Sequence, residues 1–191
     1  MPRALPSQEY LQTCFAYDED TGVLMWKKRP LEHFSNEHWW HLWLSRYEGK
    51  SAGSVRAEKY RSYLRVRLDK KGYYAHRVIW KLQTGNEPAE IDHVSGNGTN
   101  NARLNLRAAT RVQNAANNPG WNTKRSLPKG VRIMNTVNLR YTARACRNRK
   151  TIHLGSFATA EEAHAAYCAF VEKIDGPFFR PSSRKTPKGV C

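Results

Sequence analysis

A carboxylate, an imidazole and an amide stand close together in this chain: Asp92 and His93 are adjacent, and Asn114 follows further along. Hydrolysis of a phosphodiester needs an activated water, a divalent cation to neutralise the phosphate, and stabilisation of the leaving oxygen. Side chains of adjacent residues on a strand diverge. Asp92 can therefore turn inward toward a cation while His93 faces a phosphate and takes a proton from water, a task that suits a neutral imidazole near neutral pH. Folding two strands back on each other would bring Asn114, on a following helix, opposite Asp92. One carboxylate with one amide oxygen is a sparse oxygen site; it leaves positions for phosphate and water and favours magnesium or manganese over zinc. Each residue alone has a plainer reading: Asp92 as a loop cap, His93 as a surface histidine, Asn105 as a turn residue, Asn114 as a solvated helix position. What argues for chemistry is their convergence with an asparagine-rich loop and the pair Leu106-Arg107 in a region that has no other acid.

The elements that must position them follow from pattern. Ile91-Asp92-His93 reads as a strand, and Gly96 to Asn101 (GNGTNN) as a loop. Asn105 to Thr110 returns as a strand, and Arg111 to Asn118 forms a helix stopped by Pro119-Gly120. That order is a ββα unit, with its core over about 89–118. Ahead of it, Ser7 opens a short helix bearing Leu11, Cys14 and Phe15, and Asp20-Thr21-Gly22 turns into a strand at Val23 to Trp26. Residues 29–50 hold three tryptophans and three histidines without a clear period. Tyr63 to Leu68 alternates, placing Leu64, Val66 and Leu68 inward with Arg65 and Arg67 on the other face, and Lys70-Lys71-Gly72 makes the next turn. Ala75 to Leu82 reads as a helix with Val78, Ile79 and Leu82 on one face.

Residues 119–129 offer no apolar stripe and read as a linker. Beyond it, Gly130 to Met134, Leu139 to Cys146 and Thr151 to Leu154 read as three strands, and Thr159 with Glu162 forms a capping box opening a helix that Asp175-Gly176 ends. This predicts a three-stranded sheet covered by a helix over 130–180, one sheet face being left available, and a basic tail at 181–191. Alternation puts Arg140, Thr142, Arg144 and Cys146 on one strand face.

The chain has 191 residues with 32 lysines and arginines against 16 acids, a formal charge of +16. No acid occurs between Asp92 and Glu161, a stretch that carries Arg103, Arg107, Arg111, Lys124, Arg125, Lys129, Arg132, Arg140, Arg144, Arg147, Arg149 and Lys150. A solubilising surface intersperses both signs; this distribution predicts a polyanionic partner, and nucleic acid before an anionic membrane. There is no apolar run of membrane-spanning length, and the start, MPRALPSQEY, does not resemble a signal peptide, so a soluble protein without membrane contact is expected. Cys14, Cys146, Cys168 and Cys191 are dispersed with no CxxC pair, which argues against a zinc knuckle; Cys14 and Cys168 read as core thiols.

The run IDHVSGNGTNNARLNLRAATRVQN, Ile91 to Asn114, resembles the HNH endonucleases of the phage and intron homing type. The resemblance implies that Asp92 and Asn114 bind one divalent metal ion, Mg2+ or Mn2+, per active site, that His93 is the general base, and that Asn105 braces the loop and orients that histidine. His76 matches a histidine common ahead of the motif, with phosphate or leaving-group contact set against a structural helix role; Arg111 either assists a phosphate or covers a helix start. Where the family usually reads Asn-Asn-Arg, this chain has Asn100-Asn101-Ala102. The segment from Lys129 to Gly176, with its Leu-Gly-Ser-Phe turn before TAEEAHAAY, resembles an AP2-type DNA-binding domain. That implies a sheet entering a DNA groove, with Arg132, Arg140, Tyr141, Arg144, Arg147 and Lys150 as contact candidates, joined by Arg65, Arg67, Arg103, Arg107, Lys124 and Arg125. The expected architecture is α+β: a lead-in and HNH nuclease domain over 1–118, linker, AP2-like domain and tail. The expected function is metal-dependent cleavage of double-stranded DNA, by strand nicking with sequence preference, in the cytoplasm of a bacterial host if phage-encoded. A non-cutting DNA-binding protein that retains the nuclease scaffold is the alternative, and an RNA binder a third class; monomer and homodimer are both open.

Overall fold

The computed structural model describes residues 4–58, 61–117, 127–134, 140–147 and 150–179. Lys124, Arg125, most of the expected linker and the expected tail lie outside the described residues. The chain divides into two compact units, Met1–Ala108 and Ala109–Cys191, so the helix that the sequence assigns to the ββα unit belongs to the second.

The first unit opens with α1 (Gln8–Cys14), which Ser7 caps by accepting the Tyr10 N–H at 3.2 Å. A hairpin follows, β1 (Phe15–Tyr17) against β2 (Leu24–Trp26), then α2 (Glu37–Tyr47), capped by Asn36. Next comes an antiparallel sheet in the order β3 (Ser54–Ala57), β4 (Ser62–Leu68), β5 (Lys71–Tyr74). The β4–β5 turn is Asp69-Lys70, not Lys70-Lys71-Gly72 as the sequence suggests. Leu68 pairs with Lys71, and both turn residues have positive φ (47° and 64°), the twist that a two-residue hairpin demands. β3 is exposed throughout, which is why no alternation marks it in the sequence. Leu11, Cys14, Phe15, Leu24, Val66, Leu68, Val78 and Ile79 form the core. The last two lie on α3 (Ala75–Thr84), which ends where Gly85 turns left-handed at φ 72°. β6 (Glu90–His93) and β7 (Leu106–Ala109) make a two-stranded sheet.

The second unit starts with α4 (Arg111–Asn117) and continues into an antiparallel sheet in the order β10 (Lys150–Phe157), β9 (Arg140–Arg147), β8 (Val131–Met134), covered by α5 (Ala160–Asp175). Both bonds of the Thr159–Glu162 capping box are present. Val131, Ala143, Ala145, Ala163, Tyr167 and Val171 form its core, and Ala116 of α4 joins them. Lys129 Nζ donates to the Ala115 and Ala116 carbonyls at 3.3 and 3.0 Å, closing the end of α4. Thr142 shares a strand face with the exposed Arg140 and Arg144 yet is fully buried, between Arg132 of β8 and Ser156 of β10 on the central strand. Cys14 is buried as expected, whereas Cys168 is only half-buried.

Candidate active site around Asp92 and His93

Asp92 and His93 end β6, and both are enclosed, at 1% and 5% exposure. The loop after them is shaped by asparagine side chains. Asn105 Oδ1 accepts the Ser95 N–H at 2.8 Å, its Nδ2 donates to the Asn100 carbonyl at 2.6 Å, and its backbone carbonyl accepts the Val94 N–H at 2.9 Å. Asn105 thus grips both ends of the loop that leaves His93. Asn97 and Asn100 make Asx turns within it.

His93 itself is held by a different residue. Its Nε2 lies 3.1 Å from Oδ1 of Asn101, which is itself 1% exposed. An imidazole that donates Nε2–H to that oxygen carries its lone pair on Nδ1. Burial pushes the His93 imidazole below the ordinary histidine range, while the Asn101 bond and the Asp92 carboxylate oppose that shift. A ring kept neutral at physiological pH is competent to take a proton.

The first hairpin buttresses Asn101. Tyr17 Oη donates to the Asn101 carbonyl at 2.8 Å, and the Arg103 N–H donates to the Glu19 carbonyl at 2.8 Å. Gly22 packs onto the Asn101–Ala102 peptide at φ 76°, and a Cβ there would collide with Ala102 N and Asn101 C. On the other side, Gly98 lies against β4, where a Cβ would come within 2.6 Å of the Ser62 carbonyl and the Tyr63 ring.

His76, at the start of α3, meets His93 edge-on with ring centroids 5.0 Å apart and stacks on Tyr74 at 5.4 Å. Burial, then the charges of His93 and Arg77, drive its pKa down to about 3. Its Nδ1 is shielded from solvent and finds no hydrogen-bond partner among the described residues.

Arg107 on β7 points inward, not toward solvent: its Nε and Nη2 lie 2.8 and 2.7 Å from Asp92 Oδ2. The enclosed carboxylate therefore already sits against a cation. A hard anionic oxygen that demands a positive partner fits a divalent ion, with the guanidinium as competitor for the same oxygen. Among the described residues no three His, Cys, Asp or Glu side chains gather into a metal cluster.

The remaining candidates are spread over both units. Asn114 is half-buried on α4, its N–H bonded to the Thr110 carbonyl at 2.9 Å, and Arg111 is exposed at that helix's start. Arg65 and Arg67 are exposed on β4, with Arg65 lying 5.0 Å over the Tyr74 ring. Arg103 is exposed in the loop. In the second unit Arg132, Arg140, Arg144 and Lys150 are exposed on the sheet, and Tyr141 is half-buried against the core. Arg147 is turned inward and paired with Asp175. Asn101 is not among the sequence candidates, though the doubled asparagine at 100–101 marks the place where the structure sets its Oδ1 against His93.

A strand ending in Asp-His, a loop bridged by asparagines and a returning strand lie where the sequence resembles the HNH endonucleases. Residues 73–116 match the family model described as HNH endonuclease. The chain is also 34% identical over 110 residues to an uncharacterised HNH endonuclease of Acanthamoeba polyphaga mimivirus, the alignment covering 56% of this chain and 56% of that protein. The chain thus spans little more than half the length of that relative. No solved structure matches it. Residues 73–116 are accordingly similar to an HNH endonuclease domain, in a mixed α/β chain in which no described helix is long and apolar enough to cross a membrane.

Proposed function

We propose that this chain is an HNH-type DNA endonuclease that hydrolyses phosphodiester bonds of duplex DNA by nicking, and that its second unit contributes sequence preference. The reading rests on one observation: within the matched segment, an enclosed histidine, kept neutral by its burial and oriented by Asn101, stands next to a carboxylate paired with a cation. Asp92 would hold a divalent ion, Mg2+ or Mn2+, which would supply charge neutralisation to the phosphate; the family resemblance assigns Asn114 as the second oxygen donor.

His93 takes the proton from water as the water oxygen bonds to phosphorus and the bond to the 3′ oxygen breaks; that oxygen is then protonated from solvent. Asn101 fixes the ring through Nε2, and Asn105 fixes the loop that carries it. The AP2-like sheet of the second unit would lie against the duplex, with Arg132, Arg140 and Arg144 able to read guanine edges and Lys150 following phosphates.

The test is conversion of supercoiled plasmid to open circle with magnesium, manganese or chelator. Cleavage that needs the metal, and falls by about two orders of magnitude or more in His93→Ala with duplex binding retained, is the expected result. Asn114→Ala tested in the same assay checks the second ligand. Parental rates in His93→Ala would refute the base assignment.

A second reading has an observation behind it. Arg107 already neutralises Asp92, as would suit a DNA-binding protein that keeps the nuclease scaffold without cutting. Metal-independent absence of nicking by the parental chain, with duplex binding intact, would favour it.

A further inference from the structure

The segment between the first hairpin and β3 is poorly explained by the cutting centre. α2 contributes no buried residue to the core, yet it carries three of the chain's six tryptophans. Trp39, Leu42 and Tyr47 stand 54%, 42% and 39% exposed. Soluble proteins rarely leave clustered aromatic surface uncovered without a use for it.

These side chains line a groove. Trp43 packs edge-on against Trp26 at 5.2 Å and against Phe34 and Tyr47 at 5.6 and 5.5 Å, making an aromatic floor. One cavity of about 550 Å3 lies between Trp39, Leu42, Trp43, Arg46, Tyr47 and Lys70. A second, of about 530 Å3, shares Trp43, Tyr47 and Lys70 and runs along β4 past Arg65 and Arg67. The acid in the lining, Asp69, is taken up by Arg29 at 2.7 Å and the Tyr10 hydroxyl at 2.6 Å. Arg46, Lys70, Arg65 and Arg67 therefore face the groove as four cations set around aromatic rings.

An apolar protein segment would gain nothing from four cations. A DNA duplex would satisfy the cations but keeps its bases stacked away from the rings. A single strand satisfies both, its phosphates meeting the cations and its unstacked bases meeting the aromatics. Cavities of this size accept planar ligands. We infer that the α2–β4 groove binds single-stranded DNA, with Trp39 and Tyr47 as stacking platforms and Arg46, Lys70, Arg65 and Arg67 tracking the backbone. This surface lies wholly in the first unit, and the inference holds whether or not the chain cuts DNA.

The test uses the full chain and a short oligothymidylate carrying bromodeoxyuridine. Irradiation is expected to crosslink the oligonucleotide within residues 37–47, as mapped by mass spectrometry. Trp39→Ala, whose exposed ring can be removed without opening the core, is expected to weaken single-strand affinity about tenfold while a duplex of equal length binds within about twofold of the parent. Arg46→Ala with Lys70→Ala should do the same and lessen the salt dependence. Unfolding curves superimposable on the parent's would establish that the variants are folded. Equal loss of duplex and single-strand binding would overturn the inference, since that is general electrostatics. So would crosslinks confined to the second unit, or concentration-dependent self-association abolished by Trp39→Ala, which would make the groove a protein interface.

Discussion

At the scale of single residues, the proposed function turns on the contact between His93 and Asn101. An imidazole acts as a base only when its ring is fixed and its proton is on the correct nitrogen. Asn101→Ala should therefore lower plasmid nicking by ten- to a hundredfold while leaving duplex affinity and thermal stability near the parent's, and Asn101→Gln should not restore it, because the longer arm misplaces the oxygen. A loss confined to DNA binding would show instead that Asn101 acts on the loop alone. His76 makes a separate prediction about stability. Its folded-state pKa, about 3, lies well below the ordinary histidine value of 6.5. Between those values the unfolded chain binds the proton that the folded chain refuses. The associated stability is complete above pH 6.5 and drains away as pH falls toward 3, amounting to a few kcal/mol at the acid end. Urea unfolding of His76→Gln should show a shallower loss of stability between pH 6.5 and 4 than the parent; parallel curves would mean that His76 titrates normally in the fold. Asp92 and His93 were legible from the sequence as a candidate pair, since their types and adjacency are what the proposed chemistry needs, and both are enclosed at the end of β6. The inward turn of Arg107 was not: pattern reading treats an arginine on a short strand as a solvent-facing charge, and only the enclosed Asp92 carboxylate explains why it points the other way.

At the scale of elements, strands with one buried face and helices with a cap were readable, and exposed or irregular ones were not. β4 alternates because Val66 and Leu68 face the core, and α5 announces itself through Thr159 and Glu162. β3, exposed along its length, leaves no period to find, and α2 has aromatics on more than one side, none of them fully buried and Trp43 only partly packed on the core. Thr142 is buried although the arginines on its strand face are exposed, because β9 is the central strand with a neighbour on either side, and a single-strand pattern does not contain the strand order. The hairpin joining β1 to β2 was recognised as a turn, but its service to a loop far along the chain had no local sign. That service makes a test. Gly22 combines positive φ with direct backbone contact to Ala102, so Gly22→Ala should destabilise the chain by about 2 kcal/mol and depress nicking beyond what unfolding explains. Thermal melts followed by activity at a temperature where the variant is fully folded separate the two effects. Full activity of the folded variant would show that the hairpin supports only the fold.

At the scale of the whole molecule, the charge of +16 was the plainest signal and the least specific, because it announces a polyanion without locating where it binds. The structure distributes that charge among surfaces of different character: exposed arginines on the second unit's sheet, a cationic rim around aromatics beside α2, and inward guanidiniums engaged with Asp92 and Asp175. The hairpin at Phe15–Trp26 adds a consequence for how such proteins are dissected. A fragment trimmed to residues 73–116, the extent that family likeness delimits, keeps Asp92, His93, Asn101, Asn105 and Asn114 but discards Tyr17, Glu19 and Gly22. If the proposed function holds, such a minimal fragment should therefore be inert however well it is expressed, and adding back a peptide spanning the hairpin should not revive it unless the β4 backbone against Gly98 is supplied as well. Boundaries drawn where likeness stops would cut away the props of the very residues that the likeness identifies.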